Sequence, residues 1–339
     1  MTHSNEITNL FESFQGKRVL IIGDVMIDAY LWGNVDRISP EAPVPVVALK
    51  KREYRLGGAA NVALNIQGLG GVPILCSTTG QDEKGRQFHQ LLEQQQMTTR
   101  GIISSPDRIT TVKFRIMGNN MQMLRVDEED QCPLSSHDTA RLMEVIGKMI
   151  SQQEADAIIF EDYDKGVITP ELIQGVVDAA CCKNIPILAD PKKKNFLNYN
   201  NVTLLKTNVK ELHERLKLDE DFHIPGKVEY ALAWLQQSMN IPLAMVTLPE
   251  KGMVLSEKNP EDDSFFTEII PSQICSTADR SGYDDTVISV AALCLAAGAD
   301  PSLMAKLATL AGRLVCEHVG VVPVDKEKLL SEAVKNLYQ

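Results

Sequence analysis

The sequence predicts an α/β fold in which helices cover both faces of a mostly parallel sheet and a small β-sheet lid closes over one edge. Three observations carry this. Short apolar runs alternate with helix-length stretches through most of the chain, the pattern of parallel strands joined by crossover helices. Several of the runs end in polar residues, as strands do when their carboxyl ends line a ligand site. Two sections, 34–54 and 109–127, depart from the alternation: they carry period-two or proline-containing stretches that read as exposed strands.

Taken in order, "RVLIIGDVMIDAY" (18–30) opens with an apolar run and reads as a central parallel strand with Asp24 and Asp28 at its carboxyl end. Buried carboxylates there demand a partner, which sugar hydroxyls or a nearby helix start would supply. "GGAANVALNIQGLGG" (57–71) is a glycine turn feeding an amphipathic helix. Gly57 and Gly58 allow close backbone approach to a ligand, and Asn61 can bond a hydroxyl; a plain helix start explains the same residues. "VPILCSTTG" (72–80) is a second buried strand, and "TTVKFRIMGNNMQMLRVDEED" (110–130) a hairpin about Gly-Asn-Asn. Four more apolar strands follow, at 155–163, 185–191, 202–208 and 242–252. Their ends carry Lys165, the lysines 192–194, Asn208, Glu211, Thr247 and Gly252. Asn208 and Glu211 suit water-mediated Mg²⁺ ordering, and equally a reciprocal helix cap.

"DRSGYDDT" (279–286) is a tight turn running into a buried helix. The backbone N–H groups of Gly282, Tyr283 and Asp284 can hold a transferring phosphoryl group, and Asp285 can accept a hydroxyl proton. Phosphoryl transfer asks for positioning and charge stabilisation of this kind.

The chain has 339 residues and no linker or repeat, so we expect one domain, 1–339. Its net charge of −11 disfavours nucleic-acid backbones. No apolar run reaches the roughly 18 residues of a membrane span, and the polar N-terminal stretch lacks a signal peptide's apolar core; a cytoplasmic protein without a membrane partner is expected. The seven cysteines include no CxxC pair and read as buried free thiols. No strand–GxGxxG–helix unit supports a nicotinamide enzyme.

These motifs resemble the ribokinase-like (phosphofructokinase-B) carbohydrate kinases over about residues 15–325. "GDVMIDAYLWGNVDRISPEAPVPVV", "GGAANVALNIQGLGG", "LRVDEED", "EDYDKGVITPEL" and "TLLKTNVKEL" are similar to the branch that phosphorylates heptose 7-phosphate. The resemblance implies a ribokinase-like three-layer αβα sandwich, ATP with Mg²⁺, transfer to a sugar hydroxyl, and a homodimer formed through the β-lid. It implies sugar binding at Asp28, Gly57, Gly58 and Asn61, a base at Asp285, and an N-x-x-E motif at Asn208 and Glu211, with Glu211 meeting the metal through water. Lys165 would take the substrate phosphate, and Thr247 and Gly252 the nucleotide.

The departures fall on the nucleotide side. The family's D-T-T-G-A-G-D-T turn has Tyr283 and Asp284 in place of Ala and the second Gly. Pro249 replaces the first glycine of T-L-G-x-x-G, "LLKTN" stands for an LLTPN-like segment, and "DPKK" for DPKG. A carboxylate about 5 Å from the transferring group, at an effective dielectric of about 20, opposes it by roughly 3 kcal/mol, or about a hundredfold in rate. A second reading therefore stands beside the kinase: a catalytically impaired relative that binds a sugar phosphate or regulates a partner.

Overall fold

The computed structural model describes residues 3–119, 121–216, 227–248, 252–271, 280–318 and 320–337. Pro249, Asp279 and Cys275 lie outside them. The main sheet contains β1 (Arg18–Gly23), β4 (Val72–Gly80), β5 (Ile102–Ser105), β8 (Ala157–Glu161), β9 (Ile187–Asp190), β10 (Leu204–Asn208), β11 (Leu243–Leu248), β12 (Gly252–Lys258) and β13 (Phe265–Ile270). Their order is β13-β12-β11-β10-β9-β8-β1-β4-β5. Pairing is parallel from β5 to β11 and antiparallel through β12 and β13. The last two strands form an edge hairpin that the alternation of strand and helix does not announce.

Period two divides the core. Val19, Ile21, Ala157 and Ile159 face one layer, which includes α1 (His3–Ser13), α2 (Ala59–Gly68), α8 (Tyr283–Ala296), α9 (Pro301–Val315) and α10 (Lys326–Asn336). Leu20, Ile22, Ile158 and Phe160 face the other, which includes α4 (Ser136–Ser151), α5 (Pro170–Cys181) and α7 (Lys227–Met239). The remaining helices are α3 (Glu83–Gln94) and α6 (Val209–Leu216).

A second sheet, ordered β3-β2-β6-β7, forms the lid from β2 (Val25–Ile38), β3 (Pro45–Gly58), β6 (Val112–Gly118) and β7 (Met121–Glu128). It begins earlier than the sequence suggests. The run 18–30 is two strands, because the chain leaves the main sheet at Asp24. The Asp24 carboxylate accepts the N–H groups of Tyr163, Lys165 and Val167 at 2.8, 3.1 and 3.0 Å. Val25, Met26 and Ile27 are buried in the lid as Leu20–Ile22 are in the main sheet, so hydrophobicity does not mark the crossing. The cysteine expectation also needs correction: Cys76, Cys294 and Cys316 are buried, but Cys132, Cys181 and Cys182 are exposed. Among the described residues no helix is long and apolar enough to cross a membrane.

Candidate active site

The carboxyl ends of β8 to β11, the start of α2 and the start of α8 converge beneath the lid. Gly282 caps α8 with φ 80°, a left-handed conformation that glycine accepts without strain. Asp285 follows in the first turn and is buried. Asn61 Nδ2 donates to its Oδ2 at 2.6 Å, and the Tyr163 hydroxyl donates to its Oδ1 at 2.6 Å. Burial raises the Asp285 carboxyl above the ordinary aspartate range, while these two donors pull it down and Asp284 pushes it up again. A carboxylate poised in this way suits a general base. Asn61 Oδ1 is buried without a hydrogen-bond partner, an acceptor that fits an incoming hydroxyl.

Asp28 points from β2 and pairs with Arg115 of β6. That ion pair, with Asp28 almost wholly buried, answers the desolvation that the sequence assigns to a sugar. Gly57 and Gly58 make their close approaches to the chain itself. A Cβ on Gly57 would lie 2.5 Å from Asp28 Oδ2, and one on Gly58, at φ +61°, 2.5 Å from the Asp24 carbonyl oxygen. They press the end of β3 against β2 at Asp28 and Asp24, just before α2 begins.

Lys165 is committed to Glu129, with Nζ 2.7 Å from Oε2. Lys113, which sequence reasoning passes over, is half-buried and lies 5.6 Å from the centre of the Tyr163 ring. It has no ion-pair partner within 4 Å among the described residues. Burial pulls its ammonium below the ordinary lysine range, and Asp28 partly restores it. Only the β2–β6 register, which sets Lys113 beside Asp28, reveals it.

On the nucleotide side, Asn208 caps α6, its Oδ1 accepting the Glu211 N–H at 2.9 Å, while Glu211 Oε2 accepts from Asn208 N at 3.3 Å and Thr207 Oγ1 at 3.1 Å. The capping box is therefore real. Lys192 Nζ lies 2.6 Å from Glu211 Oε1. With both oxygens engaged, Glu211 does not fit a direct magnesium ligand, and among the described residues no carboxylate cluster able to hold a metal ion occurs. Glu211 would meet a divalent ion only through water. Gly252, at φ +100°, opens β12. A cavity of about 240 Å³ runs between Asn208, Thr247, Arg280 and Asp284. A larger one, about 470 Å³, lies apart between β13, α9 and α10 and gathers none of these residues.

The ring of Tyr283 packs on α9, where a Cβ on Gly312 would come within 2.6 Å of it. One sequence expectation about the turn needs correction: Asp284 is not an uncompensated charge. Lys206, wholly buried on β10, places Nζ 2.5 Å from Asp284 Oδ1 and 2.7 Å from Asp190 Oδ2. Burial would raise the Asp284 carboxyl, but Lys206 and Lys192 hold it below the usual range. The substitutions in "LLKTN" and in the turn thus meet in space.

Residues 17–328 match the model of the pfkB family carbohydrate kinase. Among curated proteins, the chain is 36% identical over 323 residues to the bifunctional protein HldE of Caulobacter vibrioides, covering 95% of this chain and 65% of the relative. It is 36% identical over 315 residues to the bifunctional protein HldE of Helicobacter pylori strain J99, covering 92% and 65%. The chain thus spans about two thirds of the length of these relatives, just under that mark. Phosphofructokinase-2 from Escherichia coli in complex with potassium superposes with TM-score 0.75 at 16% identity, covering 96% of this chain and 100% of that one. Arabidopsis thaliana ribokinase complexed with ribose and ATP superposes with TM-score 0.68 at 16% identity, covering 93% and 99%. The fold is therefore ribokinase-like.

Proposed function

The chain belongs to the pfkB family of carbohydrate kinases, and from that premise we propose that it transfers the γ-phosphoryl group of ATP to a hydroxyl of a heptose 7-phosphate, in the supply of ADP-heptose. The observation that carries this reading is the placement of Asp285. It sits in the first turn of a helix capped by a left-handed glycine and is held by Asn61 and by Tyr163, whose ring centre lies 5.6 Å from Lys113 of the lid, the register partner of Asp28. Asp285 takes the proton of the acceptor hydroxyl, the hydroxyl oxygen attacks the γ-phosphorus, and the β–γ bridging oxygen leaves with ADP. The N–H groups of Gly282 and Asp284 hold the phosphoryl oxygens as charge develops; the Tyr283 N–H, expected from the sequence to join them, donates instead to the Arg280 carbonyl at 3.2 Å. Magnesium arriving with the nucleotide supplies charge neutralisation of the phosphates. Asp28 and Asn61 orient the sugar, and Lys113 with Lys165 meets its phosphate.

The heptose assignment rests on the resemblance of the lid and floor motifs and on the HldE relatives. The pairing of Asp284 with Lys206 offsets the charge that motivated the impaired alternative, so transfer is the reading carried forward. The absence of a membrane-length helix among the described residues supports a cytoplasmic site of action, where ATP is available. The lid further supports a homodimer: Leu49, Leu124 and Val126 are exposed on its strands, and the face with Asp28, Lys113 and Arg115 is charged. A second copy of the same outer face would cover this apolar surface.

The test is ADP release with heptose 7-phosphate, the unphosphorylated heptose and fructose 6-phosphate as acceptors. ADP release with heptose 7-phosphate at tenfold or more above the other two, on the order of one well-placed phosphate contact, is expected. Equal or absent release with all three removes the assignment.

A further inference from the structure

Lys206 is the one ammonium among the described residues that is wholly buried, and the proton transfer above leaves it without a role. Its Nζ bridges two carboxylates of different freedom. Asp190, at the end of β9, has no exposed side-chain surface, whereas 37% of the Asp284 side-chain surface is exposed. Asp190 is therefore fixed, and Asp284 can turn towards solvent by a rotamer change. Asp284 also lies in the first turn of α8, where the helix dipole favours an anion. Its Oδ1 is bonded by Lys206 and lies 3.4 Å from Thr247 Oγ1, against the cavity that also touches Asn208 and Arg280. A carboxylate held by an ammonium and a hydroxyl beside a helix start occupies the kind of seat that suits a phosphoryl group.

Resting on the transferase reading, we propose that Lys206 is a phosphate-contacting residue of the transfer, and that Asp284 holds its place in the free protein. When nucleotide binds, the Asp284 carboxylate turns out, a γ-phosphoryl oxygen replaces it on Lys206 Nζ, and Asp190 keeps the ammonium aimed. Lys206 then supplies from the strand a charge-assisted contact to the transferring group. The same exchange charges a toll on nucleotide binding, since a resident anion must first be displaced.

The test is calorimetric binding of a non-hydrolysable ATP analogue and of ADP to the wild-type protein, Asp284→Gly, Asp284→Asn and the double variant Asp284→Gly with Lys206→Thr. Both single variants are expected to tighten the analogue by about tenfold or more while ADP changes by less than about threefold, because only the third phosphate reaches Lys206. The double variant is expected to lose that gain. Equal shifts for analogue and ADP, weaker analogue binding in the single variants, or a gain that survives Lys206→Thr would overturn the proposal. Asp284→Asn keeps both Lys206 and Asp190 and their mutual ion pair, so the comparison stands if the double variant does not fold. Failure of either nucleotide to bind any form would overturn this proposal together with the transferase reading; binding of both with an unmoved ratio would overturn this proposal alone.

Discussion

The Tyr163 hydroxyl donates to Asp285 Oδ1 at 2.6 Å, joining the loop after β8 to the first turn of α8. A donor to a carboxylate favours its ionised form. The base works only when ionised, so kcat/KM should fall as pH drops through its pKa. Burial first of all raises that pKa, which places the acid limb above the ordinary aspartate value of about 4. Tyr163→Phe removes one lowering contact and should move the limb upward by roughly one pH unit, with turnover above the limb largely kept. A pH–rate profile that does not move would show that Tyr163 does not tune the base.

Gly57→Ala places a methyl group where Asp28 Oδ2 now lies, 2.5 Å from the ideal Cβ position. The carboxylate and its partner Arg115 must shift. The KM for the acceptor should rise about tenfold and the KM for ATP should stay, since a displacement of about 1 Å costs factors of this size or more. An unchanged acceptor KM would separate Asp28 from sugar binding.

Lys113 and Lys165 make different predictions because their surroundings differ. Lys165 already faces Glu129, whereas Lys113 faces an aromatic ring. Lys113→Met should weaken heptose 7-phosphate about tenfold and leave the unphosphorylated sugar unchanged, and Lys165→Met should do so less. Measured KM values for both acceptors decide it. A dominant effect at Lys165 would return the phosphate to that side chain.

The exposed strand residues of the lid carry the assembly prediction. Replacing Leu124 and Val126, 58% and 48% exposed, by lysine should shift a dimer to a monomer in light scattering at micromolar concentration. A mass that is already monomeric in the wild-type protein would contradict the pairing.

Much of this architecture is readable from the sequence because it depends on local signals. Glycine before a helix, strand-end polar residues and period-two burial place Asn61, Asn208, Gly282 and Asp285 correctly on their elements. What escapes depends on contacts far apart along the chain. The break at Asp24 is invisible because both sheets bury the residues flanking it. Lys206 reads as a departure in one segment and Asp284 as a departure in another; only the packing of α8 over β10 shows that each offsets the other. That Tyr283 replaces a small residue in the turn is legible, but not that Gly312, 29 positions later in the sequence, makes room for its ring. Glu161, buried at the end of β8 with neither carboxyl oxygen hydrogen-bonded, carries no sequence signal at all.

The most direct measurement compares ATP turnover with heptose 7-phosphate in the wild-type protein and in Asp285→Asn, alongside the thermal shift that the sugar phosphate causes in each. Loss of a positioned base should lower turnover by roughly 10²–10⁴-fold, while the sugar phosphate still raises the melting temperature of the variant. Equal turnover in the two proteins would show that Asp285 does not take the hydroxyl proton and that the start of α8 is not where transfer occurs.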